Sequence, residues 1–238
     1  MIETYGQLAP LKTGSLRSLV VGALRDAIFS GRFQPGEALR ETQLAKEFQV
    51  SQATVREGLL ELEHVGLVTR IPNVSTTVTK LSREAVRERL TIRLVLEQLA
   101  AVESARNCSA KDFLELEQLA QGILGAVSRN AYFESAKADL AFHRAIWRLS
   151  GNSTLYRTLD SLTAPLFAFA SLRRSSGQAE LTRMIGPHGP LVSALRSGNP
   201  DEIRRVVSLH VLAGYRDFPE TDAADADAIA KQFGASGA

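Results

Sequence analysis

Two short β-branched runs, Leu67-Val68-Thr69-Arg70-Ile71 and Thr76-Thr77-Val78-Thr79, flank Pro72-Asn73-Val74-Ser75 and read as a hairpin. The other periodic stretches of the chain read as helix, so whatever fold forms must attach one small wing to helices on both sides. Upstream, Leu16, Leu19, Val20, Ala23, Leu24, Ala27 and Ile28 recur at helical spacing across Ser15–Ser30. Gly31-Arg32-Phe33-Gln34-Pro35-Gly36 stops that helix in a turn. A short helix over Thr42–Phe48, capped by Thr42, is linked by Gln49-Val50 to a third, Gln52–His64, with Ser51 as its N-cap and Gly66 as its end. Helix, helix-turn-helix and hairpin together make a winged helix-turn-helix. Downstream, helices are expected near 82–107, 109–128, 131–150, 153–173, 178–197 and 200–217, broken at Asn107-Cys108-Ser109, Asn130, Gly151-Asn152 and Ser175-Ser176-Gly177. The expected fold class is mainly α: an N-terminal winged helix-turn-helix followed by an all-α helical bundle.

The 238 residues divide in this reading into a DNA-binding domain (1–80), a helical domain (81–218) and a flexible Ala/Asp-rich tail (219–238). An apolar fraction of 45% is enough for a buried core. The single Cys108 rules out an internal disulfide framework or a Cys-rich zinc finger. Met1–Lys12 lacks a signal-peptide apolar core, and the longest uncharged stretch, Ser161–Leu172, is too short to span a bilayer. We therefore expect a soluble, cytoplasmic protein with no membrane partner. Net charge is +2, and residues 1–80 hold nine Lys/Arg against eight Asp/Glu. Bulk charge makes no case for nucleic acid; motif and geometry must.

They do so in the third helix. A recognition helix enters the major groove with its N-terminal residues on base edges, here Ser51, Gln52, Thr54 and Arg56. Gln52 suits adenine, and Arg56 suits guanine or a phosphate. Arg40 and Thr42 at the start of the short helix, and Asn73 and Ser75 in the wing, are placed to touch the backbone or minor groove. Taken singly, each could merely cap or solvate a surface helix. The ordered run Leu24-Arg25-x-Ala27-Ile28-x2-Gly31-x-Phe33-x-Pro35-Gly36, Leu44-Ala45, Val50-Ser51-x3-Val55-Arg56-Glu57-x-Leu59-x2-Leu62-x3-Gly66-Leu67-Val68 resembles the GntR-type winged helix over residues 15–79. Gln52 stands where that family usually has arginine, Thr54 where it often has proline, and Ser75 where the wing usually has glycine. The resemblance therefore implies an operator that differs from the family's common one.

Three of the four histidines form a second constellation with an aspartate. Asp139 and His143, four residues apart, share a helix face. His188 and His210 lie eleven residues either side of Asn199 in the turn Gly198-Asn199-Pro200, so an antiparallel pair sets them at one height. Three imidazoles and a carboxylate suit Zn²⁺, Ni²⁺ or Fe²⁺ and can leave coordination positions open. Against this, a lone helical histidine is more often a partly buried polar residue than a ligand.

Arg93-x3-Glu97-x3-Ala101, Asp139-x2-Phe142-His143-x7-Gly151-Asn152, His188 and His210 resemble the FCD ligand-binding domain of FadR-type GntR regulators, over residues 82–217. The resemblance implies a transcriptional regulator, usually a repressor relieved by ligand. It implies a homodimer on a palindromic double-stranded operator. It also implies a divalent metal, zinc first with nickel or iron as alternatives, held by Asp139, His143, His188 and His210. A small carboxylate effector would complete the metal's shell, with Arg93 as clamp and Asn152 near the same pocket. Arg93 could instead pair with Glu97 as a surface salt bridge. His188 sits in Gly186-Pro187-His188-Gly189-Pro190, where the family helix is continuous. Proline kinks a helix interior but is tolerated in a first turn, so the sequence allows either a displaced His188 or a helix that begins there. Phe142 and Trp147 read as core or pocket wall, and Arg173-Arg174 and Arg204-Arg205 as solvated faces.

Two other functions fit the same residues. A metalloenzyme could activate water at an open position, with Glu97 or Glu134 as base, but no HExxH-type pairing is present and the winged helix would be unexplained. Alternatively, the protein binds DNA and the metal is structural or absent. The expectation is a regulator, not an enzyme, with no catalytic residues.

Overall fold

A computed structural model describes residues 16–71, 74–175 and 187–214. Asn73, residues 178–186 and 215–217 of two expected helices, and the expected tail lie outside the described residues. Helix α1, Leu16–Phe29, buries Val20, Val21, Leu24, Ile28 and Phe29, the stripe its periodicity draws. Helix α2 is Glu41–Phe48 and starts one residue earlier than expected. Arg40 holds its N-cap position without a side-chain cap bond, so Thr42 is not the cap; it lies exposed in the first turn. Gln49 turns the chain in the left-handed region (φ 54°) into helix α3, Gln52–His64. There the Ser51 hydroxyl accepts the Thr54 N–H, as its cap role requires.

Strands β1, Val68–Ile71, and β2, Ser75–Val78, pair antiparallel with Val68 opposite Val78 and Ile71 opposite Ser75. The free edge of β2 is covered by the extended segment Gly36–Leu39, which no strand pattern marks in the sequence: Gly36 N–H donates to Val78 O (2.9 Å) and Leu39 N–H to Thr76 O (2.8 Å).

Six further described helices follow: α4 Arg83–Asn107, α5 Ala110–Ser128, α6 Tyr132–Leu149, α7 Ser153–Ser175, α8 His188–Ser197 and α9 Pro200–Ala213. Ser82 caps α4, and Ser109 with Asp112 forms a reciprocal capping box on α5. One apolar core lies inside this bundle around Leu90, Leu94, Ile123, Phe142 and Leu191. A second is shared with the winged helix, joining Leu24, Ile28, Leu59 and Leu62 to Leu140, Trp147, Leu159 and Phe167. The seam between them is tight. Gly66 has φ +74°, and a Cβ there would meet Ser161 O at 3.0 Å and Pro165 Cγ at 3.2 Å, so only glycine lets the end of α3 approach α7 this closely. The buried Ser171 hydroxyl donates to Phe29 O at 2.8 Å across the same seam. Among the described residues, no helix is long and apolar enough to cross a membrane.

Candidate metal centre and DNA-reading face

Helix α6 presents Asp139 and His143 one turn apart. Helix α8 begins at His188 itself, with Pro187 in the N-cap position, so Pro190 falls in the first turn, where a missing N–H costs little. Gly198 (φ 66°) ends α8, and the Asn199 side chain accepts from Asp201 N–H and Glu202 N–H to start α9. This hairpin brings the His188 and His210 rings edge-to-face, 4.6 Å between centroids.

All four residues are buried, and one donor atom from each lies within 4.8 Å of the others. His188 Nε2 is 3.0 Å and His143 Nε2 3.5 Å from Asp139 Oδ1, and His210 Nε2 is 3.1 Å from His143 Nε2. A shell of donors each about 2.1 Å from one ion has edges of roughly 3.0 Å (octahedral) to 3.4 Å (tetrahedral), close to these three spacings. The ring orientation fits too. Glu97 Oε2 lies 2.9 Å from His143 Nδ1 and, as a carboxylate, can only accept, so it takes the Nδ1 hydrogen bond and leaves Nε2 turned towards the Asp139 oxygen. Burial, then His188 and His143, push the His210 pKa well below its ordinary value, which favours the neutral imidazole, the form able to ligate, and its Nδ1 is buried with no hydrogen-bond partner among the described residues.

The role of Glu97 is not the one the sequence suggests, either a surface partner for Arg93 or the base of a metalloenzyme. The pair with Arg93 forms, Arg93 Nε donating to Glu97 Oε1 at 2.6 Å, but it is buried, with 2% of Arg93 and 3% of Glu97 exposed. Arg93 Nη2 reaches 3.4 Å from His143 Nε2, and its guanidinium stacks 4.9 Å from the Phe167 ring centre. Phe142 and Trp147 are fully buried beside the histidines, as core and wall. Asn152 is not brought to the cluster: it is exposed, and its Oδ1 accepts the Leu155 N–H at 3.0 Å at the start of α7.

Burial pushes the Glu97 carboxyl up, but the adjacent Arg93 and His143, by charge and hydrogen bond, outweigh it and hold the pKa at about 2. A carboxyl depressed on folding contributes stability above its ordinary value near 4.5, and that contribution fades as pH falls towards 2. Glu97→Ala, which leaves the Arg93 charge buried and unpaired, is expected to cost about 3–5 kcal/mol at pH 7 in urea unfolding. The gap between wild type and Glu97→Gln should narrow below pH 4.5. A loss under about 1 kcal/mol for the alanine variant would mean that Arg93 finds another partner.

On the opposite domain, Arg56 Nε and Nη2 both donate to Glu41 Oε2 (3.0 and 2.8 Å), and Gln52 Nε2 donates to the same oxygen at 3.1 Å. Arg70 of β1 lies 3.7 Å from the other Glu41 oxygen. Ser51 and Thr54 hydroxyls bond each other at 2.8 Å. A groove of about 530 Å³ runs between the helices and the wing, lined by Arg40, Glu41, Arg56, Arg70, Ser75 and Thr76. Ser51, Gln52, Arg56, Arg40 and Thr42 are exposed, and Ser75 and Thr54 half-buried.

A winged helix-turn-helix on a helical domain with a buried His/Asp cluster defines a class of DNA-binding protein whose second domain carries a candidate metal site. Residues 16–78 match the bacterial regulatory proteins of the gntR family, and residues 88–213, more than half of the chain, match the FCD domain. The chain belongs to the GntR family and carries an FCD domain; it is a DNA-binding transcriptional regulator and not an enzyme. It is 28% identical over 207 residues, 83% of this chain and 88% of the relative, to the "Probable D-xylose utilization operon transcriptional repressor" of Paenarthrobacter nicotinovorans. It is 26% identical over 212 residues, 88% of this chain and 90% of the relative, to the HTH-type transcriptional repressor RspR of Escherichia coli K12. The solved E. coli McbR/YncC shares the fold, with a TM-score of 0.68 at 22% identity over 84% of this chain and 94% of its own.

Proposed function

We propose that this protein is a homodimeric repressor whose grip on a palindromic operator is weakened by a small carboxylate held at a divalent metal in the helical domain. Residues 1–80 read DNA in the cytoplasm, and residues 81–218 bind effector and dimerise. The observation that carries the reading is the buried convergence of Asp139 Oδ1 with the Nε2 atoms of His143, His188 and His210. Zinc suits this donor set, with nickel and iron as alternatives. The metal supplies a Lewis-acid anchor for a carboxylate oxygen. Arg93, oriented by Glu97, donates to the acid's other oxygen. Asn152 is given no part. Ile92, Val95 and Leu99, spaced i, i+3, i+7 on α4 and each about half exposed, form an apolar stripe that a two-fold copy would cover. Acid changes DNA binding only by its differential affinity for two arrangements of the reading heads.

Thermal melting of chelator-stripped protein tests this. Zn²⁺ or Ni²⁺ at a hundredfold above Kd adds about 2.7 kcal/mol, or roughly 5–10 °C for a chain of this size. One acid in a panel of small carboxylates should raise the melting temperature further, and only with metal present. Metal stabilisation without any acid response would support a structural ion instead; no metal response would remove the site altogether.

A further inference from the structure

We infer that Glu41, which touches no base, positions Arg56 and Gln52 for base reading and thereby sets the sequence discrimination of the operator contact. The inference rests on the assignment of Arg56 and Gln52 as reading residues.

Glu41 is the first residue of α2, 11 positions before Gln52 and 15 before Arg56. Its Oε2 receives three hydrogen bonds from those two side chains. Arginine and glutamine are long, rotamer-rich chains, and holding them before DNA arrives lowers the ordering cost of the contact. The geometry also selects what each presents. Glu41 occupies the Nε–Nη2 edge of Arg56, which leaves the Nη1–Nη2 edge as the bidentate fork that guanine O6 and N7 require. An ionised carboxylate only accepts, so the Gln52 amide must turn its nitrogen towards Glu41. Its second N–H and its oxygen are then set as the pair that adenine N7 and N6 require.

A carboxylate in a DNA-facing groove also repels phosphate. Arg56, Arg70 at 3.7 Å and Arg40 in the same groove outnumber it, even with Glu63 at 3.8 Å from Arg70, so the local arrangement retains a net positive charge while keeping its acidic clamp. Glu41 is side-chain exposed by only 18%, which fits a positioning group rather than a solvated surface acid.

The probe is a duplex recovered by wild-type protein from a randomised library, compared with a scrambled duplex of equal length. Glu41→Ala is expected to weaken the selected duplex about tenfold, the worth of one misplaced base contact, while binding to the scrambled duplex stays within about threefold or tightens. Glu41→Gln should lose part of that ratio. Glu47→Gln, which removes the same charge from the same helix where Arg32 is the partner, should keep it. Glu41→Ala and Gln52→Ala should be non-additive, because they act through one contact. A selected-to-scrambled ratio within twofold of wild type in both Glu41 variants overturns the inference. So does tighter binding of the selected duplex, which would make Glu41 a mask over Arg56. If Glu41→Ala does not fold, Glu41→Gln decides alone. An unchanged ratio in Arg56→Ala would instead overturn the reading beneath, and the inference with it.

Discussion

Arg56→Ala is expected to lower affinity for the selected operator duplex by about a hundredfold, the upper range for loss of a bidentate base contact. Two losses combine. The recognition helix gives up the guanidinium that projects from its exposed face, and Glu41 keeps its charge with the neutral Gln52 amide and an Arg70 that it shares with Glu63. An acid left half-neutralised in the groove then repels the phosphates that the wing should seat. Binding to scrambled DNA should fall less, since most non-specific affinity comes from phosphate contacts shared over the whole face. The variant should remain folded, because Arg56 is more than half exposed. Its metal-dependent melting shift should persist. Anisotropy titrations with both duplexes check this, and operator affinity within a few-fold of wild type would withdraw Arg56 from the reading head.

Removing two metal ligands should have the larger effect on the helical domain. His143→Ala with His210→Ala is expected to reduce bound metal from about one ion per chain to less than a tenth of that, because two donors cannot hold a site that four define. The metal-induced rise in melting temperature should vanish with it. The metal-free variant need not be much less stable than metal-free wild type. It creates a cavity, but it also removes the orphaned His210 Nδ1 and the close approach of the His143 and His210 nitrogens. Elemental analysis after dialysis against chelator, then metal, reads the result; full occupancy would locate the ion elsewhere.

These two regions were legible in the sequence to different depths. Ser51 and the Gly66 stop fixed α3 at Gln52–His64, since caps and left-handed glycines act locally. Gly198-Asn199-Pro200 likewise predicted the hairpin that aligns His188 with His210, and Pro190 proved compatible once α8 began at His188. Glu41 was not legible as a site residue, and Glu97 only as a candidate base, not as the buried partner of His143 and Arg93. The first meets Arg56 across 15 residues and the second meets His143 across 46, distances at which helical periodicity carries no information. An acidic residue opening α2 reads locally as a complement to the helix dipole. Arg93 and Glu97 at i, i+4 read as a surface pair because spacing cannot report burial. Asn152 was drawn to the pocket by resemblance, whereas its own chemistry as an N-cap keeps it outside.

If metal and acid in the helical domain govern the grip of the winged helix on DNA, operator affinity must depend on both together. The most direct measurement is operator affinity by anisotropy in four conditions: stripped protein, metal alone, acid alone, and both, using the acid that gives the largest metal-dependent melting shift. Acid should weaken operator binding at least about tenfold, a coupling of about 1.4 kcal/mol, and only when metal is present. Operator affinity unchanged across all four conditions would contradict it, leaving a DNA-binding protein whose His/Asp cluster serves another purpose.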